Sequence, residues 1–444
     1  MKNVKRLTAL VCTLSLAGTI FSGCAKVEKT PESKTTDNKV LNVAVFQGGY
    51  GREVWDELAK KFEEKNKGVT VKITANPKIG DVIRPQIMSG NPPDFIFLSA
   101  TNESGILQSL IQDKALANLD DVFTDELKGK FIDGTLNTPT VSPYGDGKIY
   151  AAPLSYSTMG LFYNKKLFAD NNWKVPETWD EFFELGDKAK EKGIALFTYA
   201  AANAPSYNEI VLNPAIASAG GEKALQDCFG YKPGAWNSEA VKKVLGIYKK
   251  MADGGYLLNG TLAMNHTQSQ EQLLQNKVLF IPNGNWLETE MQKTPRADGF
   301  EYGFTGMPTF NKGDKKYVWS NIEEMYIPSK AKNIDLAKKF MAFLYSDESI
   351  KLLADKAGFI PPIKGAADLT KDSFSKSVYE TYAITNNGYT PATGSFSMTK
   401  QTEINLRNDL YNDLNSVMAG KMDVEKWSQH LEKDSEELSK IILK

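Results

Sequence analysis

The chain has 444 residues, with 53 Lys plus Arg against 54 Asp plus Glu, a formal net charge of −1. That balance lacks the basic excess with which nucleic-acid binders neutralise phosphates, and a composition of 41% apolar and 11% aromatic residues excludes a disordered chain. At ~150 residues per domain the length suggests two or three domains, each able to bury a core.

Residues 1–23 carry Lys2, Lys5 and Arg6 and no acid, then an apolar run from Leu7 to Phe21, then Ser22-Gly23-Cys24. A basic start, a short apolar stretch and small residues before a cleavage point mark an export signal. A membrane span would need ~20 apolar residues. Phe21-Ser22-Gly23-Cys24 resembles a bacterial lipobox, with Phe21 where an aliphatic residue is usual; that reading makes Cys24 the acylated N-terminus. Removing the three cations of 1–23 from a total of −1 leaves a body of net −4. Cys12 leaves with the signal and Cys24 carries lipid, so Cys228 alone remains and the mature body forms no internal disulfide. Residues 24–39 are rich in Lys, Thr and Glu and read as a flexible tether.

The body opens on Val40 to Phe46, a near-continuous apolar run of the buried parallel-strand type. The turn Gln47-Gly48-Gly49-Tyr50-Gly51 leads into a helix with Val54, Trp55, Leu58, Ala59 and Phe62 on one face. Val69, Val71 and Ile73 alternate with polar residues as a strand does. A helix over 80–89 and a buried strand Asp94–Leu98 complete a βαβαβ unit, which argues an open α/β sheet. Two strands are expected at 148–152 and 160–163. Thr178-Trp179-Asp180-Glu181 has the capping-box pattern of a helix start. A strand at 194–199, helices at 206–219 and 239–252, and a strand at 278–281 closed by Pro282-Asn283-Gly284 follow. Met325–Pro328 reads as a last buried strand before a helix that aligns Ala337, Phe340, Met341 and Leu344. Beyond 365 the pattern is mostly helical.

Catalytic signatures are sparse. The chain has no G-x-S-x-G elbow, no H-E-x-x-H and no Walker A loop. Its two histidines, His266 and His430, fall in polar helical contexts and read as solvated surface residues, so no metal site and no cofactor are expected. The glycine turn at 48–51 lacks the third glycine of a dinucleotide fingerprint, where Val54 stands; it reads as a place where a ligand can approach backbone at the carboxyl edge of a sheet. Glu323 and Glu324 are adjacent on a strand, so they point to opposite faces and cannot act as a pair, although one can face a ligand.

Aromatic residues in polar turns are the positive signal. Tyr50, Tyr156, Tyr207, Trp236, Trp286 and Trp319 each stand beside Asn, Ser or Gly. Sugar rings present a C–H face to aromatic planes and a rim of hydroxyls to amides and acids, which such a set suits.

At these residues the chain resembles the extracellular solute-binding proteins of carbohydrate ABC importers, the maltodextrin-binding-like family. The resemblance is carried by Pro92-Pro93-Asp94-Phe95-Ile96-Phe97, by Lys148–Pro153 followed by Gly160–Lys165, by Pro176-Glu177-Thr178-Trp179-Asp180-Glu181-Phe182, by Asn283-Gly284-Asn285-Trp286, and by Ile327–Lys330 with Ala337–Phe340. It implies a periplasmic-binding-protein-like α/β fold, two α/β lobes joined by a multi-crossing hinge with a ligand cleft between them. Lobe 1 is expected at 40–152 plus 318–370 and lobe 2 at 153–317 plus 371–444. It implies an oligosaccharide ligand, a partner permease in the membrane, attachment by lipid alone, no nucleic acid and a monomer. Trp286 falls on the family's stacking Trp, Tyr156 in its hinge-proximal contact segment, and Tyr207 near its second-lobe aromatic contact. On that reading Tyr50, Tyr156, Trp286 and Trp319 stack on sugar, Gln47, Asn102 and Asn285 bond hydroxyls, and Trp236 and Glu323 complete the contact set. Leu98 stands where maltodextrin binders place a Trp, and Phe396 is the nearest candidate for a late aromatic, which speaks against maltodextrin itself. The glycine turn is similar to that of binders of β-linked gluco- or chito-oligosaccharides. An exported glycoside-active enzyme and a receptor for a peptide or polyol stay open as alternatives.

Overall fold

The computed structural model describes residues 39–442, except 48–50, 101, 103, 137 and 401. The export signal, Cys24, most of the tether and Tyr50 lie outside the described residues.

The opening βαβαβ unit forms as its periodicity dictates. Strand β1 (Lys39–Phe46) pairs in parallel with β2 (Val69–Asn76) on one side and β3 (Phe95–Phe97) on the other. Between β1 and β2 the helix Glu53–Lys65 buries the whole apolar face read from the sequence, Val54, Trp55, Leu58, Ala59 and Phe62. Each large side chain so buried contributes ~1.5–3 kcal/mol. Asp94, just before β3, is 1% exposed. Its carboxylate accepts from the Asn42 backbone N–H at 2.8 Å and the Asn333 backbone N–H at 2.9 Å, tying the strand to the late helix Ile334–Leu344. That helix buries Ala337, Phe340, Met341 and Leu344 in the same core.

The middle of the chain differs from the expectation. The two strands expected at 148–152 and 160–163 are one 14-residue strand, β4 (Ala151–Asn164). Strand β5 is shorter (Ala195–Phe197), and β6 (Val278–Gly284) runs through the Pro282-Asn283-Gly284 expected to end it. Pro282 lies opposite Leu161 of β4, within an antiparallel register from Met159↔Gly284 to Phe162↔Ile281 and beyond the last pair with β5, Phe197↔Phe280. Strand β7 is Tyr302–Thr305. The expected 325–328 strand is the end of a longer one, β8 (Lys316–Tyr326), and β9 (Tyr389–Ala392) follows it. At the expected capping box the Thr178 hydroxyl accepts the Glu181 N–H at 3.3 Å, but the Glu181 carboxylate accepts from Glu177 rather than Thr178, at 2.8 Å.

The strand order is β2-β1-β3-β8-β4-β6-β5, with β7 against β4 and β9 against β8. β8 joins the parallel part antiparallel, through Ile96↔Tyr326. β4 and β8 then run together antiparallel from Ala151↔Tyr326 to Met159↔Trp319, with a register shift between Pro153 and Ser155. Their two halves belong to different cores. Ala152, Leu154 and Met325 pack with β1, β3 and the helix Ile334–Leu344. Met159, Leu161 and Trp319 pack with the helices Trp179–Lys190, Glu209–Gly220, Glu239–Asp253, Leu406–Met418 and Val424–Ser439. A third link lies around 350–382, where Tyr156, Ile350, Ile360 and Tyr382 form a small cluster of their own. This is the two-lobed α/β architecture with a hinge crossed more than once.

Candidate functional site

Where β4 and β8 pass between the cores, a cavity of about 360 Å³ opens. Elements of both cores wall it. Ala100, Leu107, Gln108 and Ile111 line it from the side of β3, and Tyr207, Ile210, Phe229, Trp286, Trp319 and Phe396 from the side of the second core.

Each ring is set by local backbone. β6 ends in Gly284, and a Cβ there would lie 2.3 Å from the Trp286 ring, so glycine is what lets the indole fold back over the strand end. The Trp286 Nε1–H donates to the Tyr207 hydroxyl at 3.0 Å, and the rings meet edge-on with centroids 6.2 Å apart. Tyr207 comes from a short 3₁₀ turn, Pro205–Asn208, leading into the helix Glu209–Gly220. Burial raises its phenol pKa well above the ordinary value. Phe229 packs on Trp319 at 6.2 Å and on Phe396 at 5.1 Å. Gly394, at φ +147, makes room for it, because a Cβ there would stand 2.7 Å from the Phe229 ring.

Behind Tyr207 lies His266, ring centroids 4.7 Å apart. Its Nε2 is 2.8 Å from Glu290, which also accepts from the Gln270 amide at 2.7 Å. Burial opposes the Glu290 charge, but His266 and Gln270 outweigh it and keep the carboxyl below its ordinary pKa. The surface reading holds for His430, which is exposed, and is corrected for His266, which is half-buried. His266 supports a wall aromatic, and His430 is bonded to Asp413 at 2.7 Å, which raises the imidazole pKa. Among the described residues no group of three metal-ligating side chains occurs.

Charged chemistry enters from a place the sequence reading missed. Arg407, at the start of the helix Leu406–Met418, lines the cavity. Its Nε donates to Glu209 at 2.6 Å and to the Tyr411 hydroxyl at 2.9 Å, and its Nη2 to the other Glu209 oxygen at 2.7 Å. The Tyr411 hydroxyl donates to Glu209 in turn. Burial works against the Arg407 charge, yet Glu209 more than compensates and raises the guanidinium pKa. Burial and the same carboxylate raise the Tyr411 phenol. The available signal was Glu209 itself, a lone acid opening an otherwise apolar helix, which demands a buried partner.

A second cavity of about 580 Å³ is polar, lined by Phe46, Lys78, Asp81, Arg84, Ser99, Asn102 and Glu323 among others. Residues 98–100 border both, with Ala100 on the first and Leu98 and Ser99 on the second, which Asn102 also lines. Glu324 holds that segment, accepting the Ala100 N–H at 3.0 Å through its carboxylate and the Leu98 N–H at 3.1 Å through its carbonyl. Burial, aided by the charge of Glu323, pushes the Glu324 carboxyl up to about 8.

The expected contact residues therefore divide. Tyr207, Trp286 and Trp319 line the aromatic cavity; Asn102 and Glu323 line the polar one. Gln47 sits half-buried where β1 ends, its backbone tied to Asn76, and borders neither lining. Asn285 is half-buried and donates to the Tyr382 hydroxyl at 2.6 Å. Tyr156 and Trp236 are core residues, each 1% exposed. Tyr156 packs with Ile350 and Ile360, where burial raises its phenol pKa to about 12. Trp236 donates to the Cys228 carbonyl at 3.3 Å and stacks behind Phe396, centroids 6.2 Å apart. Its ring backs the cavity wall instead of forming it. Cys228 is free and buried, and burial lifts its thiol pKa to about 12.

Two lobes around a cavity walled by rings and amides define a solute-binding receptor. The chain belongs to the family of bacterial extracellular solute-binding proteins, matched over residues 57–381, among members that serve carbohydrate ABC importers. It is 30% identical over 322 residues to the diacetylchitobiose binding protein NgcE of Streptomyces coelicolor, covering 70% of this chain and 67% of that protein. It is 23% identical to the multiple sugar-binding protein of Streptococcus mutans over 91% of this chain and 96% of that one. Among solved structures, apo RafE of Streptococcus pneumoniae superposes with a TM-score of 0.69 at 21% identity, over 90% of this chain and 98% of its own. A chitin oligosaccharide binding protein superposes with a TM-score of 0.64 at 20% identity, over 87% and 95%. No described helix is long and apolar enough to cross a membrane.

Proposed function

We propose that this protein captures a β-linked gluco- or chito-oligosaccharide between its lobes and delivers it to an ABC import permease, without catalysis. The observation that carries this is the aromatic cavity, where Trp286, Tyr207, Trp319, Phe229 and Phe396 offer ring faces to pyranose C–H surfaces beside Asn213 and Asn321. The relatives named for diacetylchitobiose and chitin oligosaccharide support the same ligand class. In this reading lobe 1 is 40–152 plus 318–370, lobe 2 is 153–317 plus 371–444, and ligand closes the hinge. Cys24 carries the lipid that attaches a monomeric body to the outer face of the cell membrane.

A thermal-shift panel tests the ligand class. Ligand at 100 times its Kd adds ~2.7 kcal/mol of stability, so a β-gluco- or chito-oligosaccharide should raise Tm clearly. A shift with peptides or polyols and none with sugars rejects the proposal. Reducing-sugar release during long incubation at high protein concentration would reject the non-catalytic role.

A further inference from the structure

We infer that Arg407 is a specificity-determining residue that reads the carbonyl oxygen of an acetamido group, making an N-acetylated sugar the preferred ligand of the aromatic cavity. The inference rests on the oligosaccharide reading above and narrows it.

A guanidinium carries five N–H donors in a fixed fork. At Arg407 the Nε and Nη2 atoms are engaged by Glu209 and Tyr411. Among the described residues, Nη1 and its two donors have no partner. The side chain is 42% exposed while Glu209 is 10% exposed, so the open part of the fork belongs to the cavity it lines.

The charge state of this fork selects the acceptor. Glu209 binds the guanidinium bidentately, so the pair is close to neutral as a unit. A second carboxylate, as on a uronic acid, would meet the Glu209 charge across the same guanidinium. A neutral carbonyl oxygen takes a charge-assisted hydrogen bond without that repulsion. A hydroxyl can also accept, but an acetamido group brings a methyl as well. The cavity offers such a methyl the aliphatic side chains of Leu107, Ile111, Met159, Ile210 and Met398. The rigid tie to Glu209 and Tyr411 fixes the fork in advance, so little ordering is required on binding.

The experiment is calorimetric titration with N,N′-diacetylchitobiose, cellobiose, the glucosamine dimer that lacks the acetyl groups, and a glucuronate-containing disaccharide. It uses the wild type, Arg407→Lys, which retains an ion pair with Glu209 but loses the fork, and the double variant Arg407→Met with Glu209→Gln, which leaves no unpaired buried carboxylate. Wild type should prefer the acetylated dimer over cellobiose by roughly tenfold or more, the scale of one charge-assisted hydrogen bond. Both variants should lose about that factor more for the acetylated dimer than for cellobiose. Equal losses for both sugars would make Arg407 a structural residue and overturn the inference. Wild-type preference for cellobiose or the uronate would overturn it while leaving the receptor reading intact. Absence of binding to every sugar would overturn the receptor reading as well.

Discussion

The two cavities are bordered by one short segment, yet they are built from opposite materials. The first is walled by Trp286, Tyr207, Trp319, Phe229 and Phe396 and contains one compensated ion pair. The second is walled by Lys78, Asp81, Arg84, Asn102 and Glu323. Ring faces gain free energy by shedding water against C–H surfaces, whereas charged groups give up hydration to bind and return little. On the proposed function, the first cavity is the place where affinity for an uncharged ring is generated. The second suits hydroxyls at the end of a ligand, or water.

Four substitutions probe this contrast. The largest effect belongs to the core that backs the aromatic wall. Trp236→Ala should destabilise the fold by ~3–5 kcal/mol, seen as a lower denaturation midpoint; retention of the midpoint would mean that the ring does not support Phe396.

The bordering segment responds to pH. Unfolded, Glu324 ionises near the ordinary carboxylate value of about 4.3; folded, it keeps its proton up to about 8. The raised value means that its contribution to stability is complete below the lower pKa and is lost as pH climbs to the higher one, at up to ~1.4 kcal/mol per pH unit. Urea unfolding at pH 5 and pH 8 should show that loss in wild type and a smaller one in Glu324→Gln, whose amide can still accept the Ala100 N–H. Parallel curves for the two proteins would show that Glu324 ionises normally.

Trp286→Ala should weaken oligosaccharide binding by ~1–3 kcal/mol with little change in thermal midpoint, because the ring is on the wall and not in the core. Unchanged calorimetric affinity would remove Trp286 from the site. Asn102→Ala in the polar cavity should cost least, roughly 0.5–1.5 kcal/mol of binding at most. An effect larger than that of Trp286→Ala would invert the comparison and make the polar cavity the principal one.

Much of the fold was legible in the chain. Val54, Trp55, Leu58, Ala59 and Phe62 bury as their spacing requires, since helical periodicity is a local property. Segments that cross between lobes were harder to read. β4 looks like two strands because its middle, Ser155-Tyr156-Ser157-Thr158, reads as a polar turn, yet pairing with β8 and then β7 along one edge and with β6 along the other extends it. The site was legible by residue type and not by position. Trp236 and Trp286 stand in similar polar turns, yet one is 1% exposed in the core and the other lines the cavity.

The sequence by itself determined the open α/β sheet and, through its resemblance to a known family, the two-lobed class, because helix and strand periodicity and motif order are properties of the chain itself. Tertiary structure alone decided which aromatics line the cavity and that Arg407 joins them. Glu209 and Arg407 are 198 residues apart. Their meeting, like the buried proton of Glu324, depends on which surfaces pack together, and no local pattern encodes that.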